Sequence, residues 1–262
     1  MCPVCTENGV LVVRTGDYTR RQAKADFQRA RRAERRYGAQ LRQIAKIIGQ
    51  FVRSMDPSTL EGVTMIRSAL ETYANALRPW ASSVAKAMIA DVAARDRKEW
   101  RKLSNEIGSE LQRKIDNTPI GAEVQALMDA QVHLITSMPR DAALRVHELA
   151  MKAQTDGSRA KALVAEIMRT GEVTRSRAEL IARTEVGRAS TVMTQVRATA
   201  IGSAGYIWRT VGDSDVRPSH RKMNGKFVRW DRPPTLDKLT GHAGALPNCR
   251  CYCEPVIPDP EY

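Results

Sequence analysis

Seven of the chain's twelve prolines lie from Pro218 onward, and they divide its 262 residues into two kinds of sequence. Proline lacks a backbone donor and clashes with the preceding helical turn, so no long helix survives among "DRPPT", "ALPN" and "PVIPDP". Upstream of about Gly205, apolar residues recur every three or four positions and Ala is abundant, as in helices that pack through small side chains. Downstream, "GYIWRTV" and "GKFVRW" read as short strands and "GDSDVRPS" as a turn region. The predicted fold class is α+β: a long, mostly helical N-terminal region followed by a small, loop-rich β module. That module has few apolar residues of its own and needs a metal, disulfides or a neighbour to hold it.

The helical part reads in segments. Residues from Asp17 to Met55 form one stripe through Ala30, Ala33, Tyr37, Leu41, Ile44, Ile48, Phe51 and Met55. "DPSTLEG" breaks it, and Ser58 followed by Glu61 predicts a capping box for a helix over 57–77. Pro79 ends that helix, and a third follows from Trp80 to Arg113. After "DNTPIG" a helix runs to Ser137, and "MPRD" opens another that ends at "TDGS". Ser158 caps a short helix that stops at Gly171. Thr174 then caps a helical block through Ala200, and Gly187 in its middle predicts a break near "EVG".

Net charge is +13, which favours a polyanionic partner: nucleic acid, an acidic protein surface or anionic lipid. The charge is concentrated between Arg14 and Arg53, where twelve Lys and Arg stand against Asp17, Asp26 and Glu34. The candidate contact residues are Arg20, Arg21, Lys24, Arg29, Arg31, Arg32, Arg35 and Arg36. No aromatic residues interleave them as a base-stacking platform requires, so they suit phosphates or an acidic face without reading sequence. A solvated helix face is the plainer alternative. No apolar run approaches the roughly 20 residues of a membrane span, and the first residues lack a signal-peptide pattern. The expectation is a chain made in the cytoplasm with no membrane contact.

The five cysteines sit at the two ends: Cys2 and Cys5 in "CPVC", and Cys249, Cys251 and Cys253 in "LPNCRCYC". His220, His242, Cys249 and Cys251 form a candidate zinc set, because zinc takes tetrahedral Cys/His ligands and could replace a missing core. Cys2, Cys5 and Cys253 are alternative ligands or disulfide partners, and a composite site would tie the chain ends together. Glu185, set among apolar neighbours, is either a catalytic base or, as favoured here, an ion-pair partner of Arg183 or Arg188 or a hydrogen-bond partner of the β module. Asp213 and Asp215 read as a turn capping its own backbone, with divalent-ion binding as the alternative. No phosphate loop or nucleophile elbow is present.

"IARTEVGRAS", then "WRTVGDSDVRPSHRKMNG", then "PNCRC" resemble, in order and spacing, the Mu gpF-type phage head morphogenesis domain, related to the SPP1 minor capsid protein. The resemblance covers about residues 170–256. With the pattern read above, the chain divides into a Cys-containing segment 1–16 and a helical region 17–170, followed by what the resemblance implies is a head morphogenesis domain 171–262, with helices over 174–202 and a β module over 205–256. It also implies that Arg183, Thr184, Glu185, Trp208 and Gly225 form the structural core of the motif. Family members with a fuller zinc set carry cysteines where this chain has Arg217 and His220, and a histidine where it has Leu246. The implied function is a structural, non-catalytic minor head protein inside the capsid near the portal vertex. Its implied partners are the portal protein, capsid or scaffold proteins, and packaged double-stranded DNA held non-specifically. The rival expectations are a metal-dependent nuclease or toxin-like effector using His220 and Glu185, and a simple DNA-binding zinc module.

Overall fold

The computed structural model describes residues 4–7, 10–13, 20–107, 117, 119, 121–155 and 160–258, with side chains for 31–101, 117, 119, 121–153 and 161–257. Six long or medium helices precede the C-terminal strands: α1 (Arg20–Ser54), α2 (Leu60–Ala76), α3 (Arg78–Ile107), α4 (Gly121–Thr155), α5 (Ala160–Met168) and α6 (Thr170–Ala200). The α+β reading holds: a long helical region is followed by a small strand module. No helix among the described residues is long and apolar enough to cross a membrane.

The stripe on α1 is the clearest success of the periodicity. Ala33, Tyr37, Leu41, Ile44 and Ile48 are all buried, Phe51 is only half-buried, Met55 lies past the helix end and is half-buried too, and Ala30 lies outside the described side chains. The cap of α2 falls one residue later than the capping-box pattern indicates. Thr59 Oγ1 accepts from the Gly62 N–H at 3.0 Å, whereas Ser58 turns back and donates to Asp56 Oδ1 at 2.6 Å. Pro79 does separate α2 from α3, because it sits in the first turn of α3, where its missing donor costs nothing.

Pro139 does not divide α4, contrary to the sequence expectation. An interior proline costs about 3 kcal/mol. Here Ile135 and Met138 before it and Ala142 and Val146 after it are all buried, at about 1.5–3 kcal/mol for each large side chain. Continuing the helix keeps both sets in the core, so burial outweighs the defect. Thr174 is likewise not a cap. The helix begins at Thr170, and the buried Thr174 hydroxyl donates to the Thr170 carbonyl at 2.8 Å.

The chain forms two compact units built from separated segments. One comprises 34–88 and 127–182, and its described elements are all helices. Its core takes Leu41, Ile44 and Ile48 from α1, Ile66 and Leu70 from α2, Ile135 and Met138 from α4, and Ile167 from α5. α1 and α6 touch backbone to backbone within it, since a Cβ on Gly171 would lie 2.8 Å from the Gly49 Cα.

The other unit comprises 1–33, 89–126 and 183–262. Its central sheet is antiparallel, in the order β4 (Phe227–Arg229), β3 (Gly205–Thr210), β7 (Cys251–Pro255). A helical turn, α7 (Pro218–Arg221), lies between β3 and β4, and β5 (Thr235–Leu236) and β6 (Leu239–Thr240) form a small hairpin. β1 (Val4–Glu7) and β2 (Val10–Val13) form another hairpin, and β2 pairs with β8 (Ile257–Pro258) through Val12–Pro258 and Val13–Ile257. The two chain ends therefore meet, through backbone pairing. Cys2 lies outside the described residues, and the Cys5 side chain outside the described side chains.

The β module is richer in core than its composition promises, because neighbouring helices contribute. Trp100 of α3 and Ala198 of α6 are buried against Tyr206, Trp208, Val228, Trp230 and Leu246. Of the three means of support expected for so small a module, a neighbour is the one seen directly.

Candidate metal centre

Trp208, in the middle strand of the sheet, is fully buried and sets the site's floor. Its backbone carbonyl accepts from the Gly225 N–H at 2.8 Å, which closes the connection from β3 to β4. Gly225 has φ +84°, the left-handed region where a side chain is disfavoured. This is the physical reason for a glycine in "KMNGK". Between these points, Pro218 starts the short helix α7, which aims His220 inward. The His220 ring stands edge-on to Trp208, with centroids 5.5 Å apart.

Opposite it comes the segment "NCRC". Asn248 has φ +55° and is held by α6: its N–H donates to Thr184 Oγ1 at 3.2 Å, and Arg183 donates to its side-chain oxygen at 3.2 Å. Arg217 donates to the Pro247 carbonyl at 2.7 Å. Arg183 and Thr184 thus act as an anchor for the cysteine turn. Glu185 is buried and pairs with Arg188 at 3.3 Å, in keeping with the ion-pair reading.

Cys249 Sγ and Cys251 Sγ lie 3.4 and 3.6 Å from His220 Nδ1. All three residues are buried, and their donor atoms lie within 4.8 Å of one another. A zinc ion with Zn–S near 2.3 Å and Zn–N near 2.05 Å, at a tetrahedral angle, would separate N from S by about 3.5 Å. The observed separations are those of donors around one such ion. His220 Nε2 is buried with no hydrogen-bond partner, so the protein alone leaves this ring incompletely satisfied.

The thiols are prepared unequally. Cys249 is held well below the usual thiol range, first by a hydrogen bond from Cys251, then by His220 and the Gly244 N–H, which donates to its sulfur at 3.3 Å. Cys251 is pushed up by sitting beside Cys249 and by burial. One thiolate is thus favoured already, and a cation would draw the proton from the second.

Among the described residues, neither His242 nor Cys253 joins this group. His242 receives or donates a hydrogen bond at Tyr206 Oη, 3.2 Å from its Nδ1, and packs edge-on against Tyr206 and Trp230. Burial lowers its pKa. Cys253 directs its sulfur to the Ala243 carbonyl at 3.5 Å, and burial pushes its thiol well up. Cys249, Cys251 and Cys253 are all free thiols.

Arg250, between the two cysteines, is the residue that sequence reading missed. Its side chain is only 9% exposed and pairs with Asp213 at 2.9 Å and with Asp215. The "GDSD" loop is therefore an anionic clamp on the "NCRC" segment, where the sequence suggested a self-capped turn. The available signal was complementary charge in two otherwise unexplained short motifs.

Gly187 of α6 explains itself here too. The helix runs through it unbroken. A Cβ at this position would lie 2.5 Å from the Gly244 carbonyl oxygen, in the loop that passes over α6. Thr191 fixes the same loop by donating to the Ala243 carbonyl at 2.6 Å.

On the basic helix, Arg31, Arg32, Arg35 and Arg36 are exposed. Arg20, Arg21, Lys24 and Arg29 lie on the same helix, with side chains outside the described set.

A family model described as Phage Mu protein F like protein matches residues 145–254. An uncharacterized protein of Haemophilus influenzae is 33% identical over 160 residues, covering 61% of this chain and 35% of that protein. The chain thus aligns with about a third of that relative's length. No solved structure matches the chain.

Proposed function

We propose, from the match of residues 145–254 to the family model described as Phage Mu protein F like protein, that the protein is a minor head protein of a tailed phage, acting in head morphogenesis. The family match is the observation that carries this reading. In it the chain lies inside the capsid at or near the portal vertex and serves as a structural part without catalysis. The exposed arginines of α1 suit contact with packaged duplex DNA through its phosphates, a mode that needs charge and no base-reading geometry.

The test is mass spectrometry of purified virions and DNA-free heads. The chain should be present in both, at few copies per particle. Absence from both kinds of particle sinks the proposal, and plasmid nicking that disappears in His220→Ala would overturn its non-catalytic part.

In the same reading zinc is a structural cofactor held by His220, Cys249 and Cys251. Three protein donors with a fourth position open is also the pattern of catalytic zinc. The structural role is preferred because all three donors are buried, and Glu185, the acid nearest to hand in sequence logic, is engaged with Arg188. Purified protein should carry one zinc per chain by elemental analysis. Cys249→Ser should lower that content at least tenfold and destabilise the β module by several kcal/mol. Full zinc content in Cys249→Ser would remove the site, whereas equal content in Cys2→Ser/Cys5→Ser would remove only the composite, end-to-end version.

A further inference from the structure

Trp208 Nε1 is a buried donor that packing leaves unused. The side chain is fully buried, and no acceptor among the described residues meets this nitrogen in hydrogen-bond geometry. Buried N–H groups without partners are rare in folded proteins, because unfolding would give them back to water. The neighbouring tryptophan of the module follows that rule: Trp230 Nε1 donates to Ser203 Oγ at 3.2 Å.

The strand register turns the Trp208 ring toward one sulfur. Trp208 lies opposite Cys253 in the β3–β7 ladder, and Thr210 lies opposite Cys251. Side chains two apart on a strand share a face, so Trp208 and Cys251 are diagonal neighbours, a separation that an aromatic side chain can span. Cys249 and burial push the Cys251 thiol up, and Trp208 pulls it back down. The N–H therefore faces the Cys251 sulfur but stops short of a full hydrogen bond. A neutral thiol accepts weakly, whereas a charged sulfur accepts strongly. The other sulfur already has a donor of this kind, since the Gly244 N–H points at Cys249 at 3.3 Å.

We propose that Trp208 is a positioning residue of the metal centre, its indole N–H donating to the Cys251 thiolate and holding that sulfur beside His220. This rests on the reading of His220, Cys249 and Cys251 as metal donors, and adds an outer hydrogen bond to it. The same indole meets the His220 ring edge-on, with centroids 5.5 Å apart, so one side chain fixes two of the three donors.

The test uses the full chain and cobalt(II), a coloured stand-in for zinc whose charge-transfer band reports the sulfur ligands. One substitution is Trp208→Phe. The other replaces Trp208 with its benzothiophene analogue, which keeps the ring shape and puts sulfur in place of the N–H. Trp230→Phe controls for the loss of a core indole that serves Ser203. Each change at Trp208 should weaken cobalt retention against a chelator about tenfold. Each should also move the band to longer wavelength, because a sulfur without its hydrogen bond gives up electrons more readily. Trp230→Phe should lower stability and leave the band where it is. If Trp208→Phe does not fold, the benzothiophene protein decides the matter. A band that stays at the parent wavelength in that protein overturns the proposal. So does an equal shift in Trp230→Phe, which would mark a general loosening of the core. A parent protein with no such band overturns the metal reading itself, and the positioning role falls with it.

Discussion

Gly187→Ala should destabilise the protein by about 2–3 kcal/mol, although alanine is the better helix former by about 1 kcal/mol. The helix would welcome the methyl group, but the loop above it would not. The new Cβ would stand 2.5 Å from the Gly244 carbonyl oxygen, and that contact is backbone, with no flexible tip to move aside. Relief requires the 241–246 loop to lift, which would cost the hydrogen bond from Thr191 to Ala243 and the N–H of Gly244 on the Cys249 sulfur. The urea midpoint should therefore fall, and if the cluster of His220, Cys249 and Cys251 takes zinc as proposed, added zinc should be held more weakly as well. Gly121→Ala is the control. No described atom lies within 4 Å of a Cβ there, and a gain of about 0.5 kcal/mol is expected. A neutral or stabilising result at Gly187 would mean that the loop and helix do not meet as described.

This case shows what local pattern can and cannot disclose. Periodicity located the α1 stripe because each of its residues answers to the same helix geometry. Composition located the β module, and residue chemistry picked out His220, Cys249 and Cys251, which the fold brings together in one buried cluster. Errors arose wherever a distant contact decided the matter. A glycine that admits a loop looks, in isolation, like a glycine that breaks a helix. Pro139 looks like a terminus until Ile135 and Val146 are seen to be buried on either side of it. His242 has the same ligand chemistry as His220, and only tertiary placement beside Tyr206 and Trp230 assigns it elsewhere. Trp100 reaches the core of the module from more than a hundred residues upstream of Tyr206, a distance at which no spacing rule operates.

Arg197→Met should cost about 3–5 kcal/mol at pH 7, the usual penalty for leaving a buried charge without its partner. Arg197 and Asp96 have side chains only 4% exposed and are bonded Nε to Oδ2 at 2.7 Å, with Thr194 donating to the other carboxylate oxygen at 3.3 Å. Burial raises the Asp96 pKa above its ordinary 3.8, and Arg197 is the chief influence pulling it back. Removing the guanidinium must raise it further. A carboxyl whose folded pKa lies above its unfolded value binds its proton more tightly when folded. Stability therefore rises as pH falls through the folded pKa, until the unfolded pKa is reached, and it falls again on return to neutral pH. Arg197→Met should accordingly regain part of its loss between pH 7 and pH 5. Asp96→Asn should show no such recovery, because a guanidinium cannot shed its charge in this range. Asp96→Leu/Arg197→Met removes both charges and should recover most of the stability. Urea melts of the three variants at the two pH values decide the issue. A loss below 1 kcal/mol in Arg197→Met, or the same pH response in Arg197→Met and Asp96→Asn, would mean that water reaches this pair and that α3 and α6 are not sealed around it.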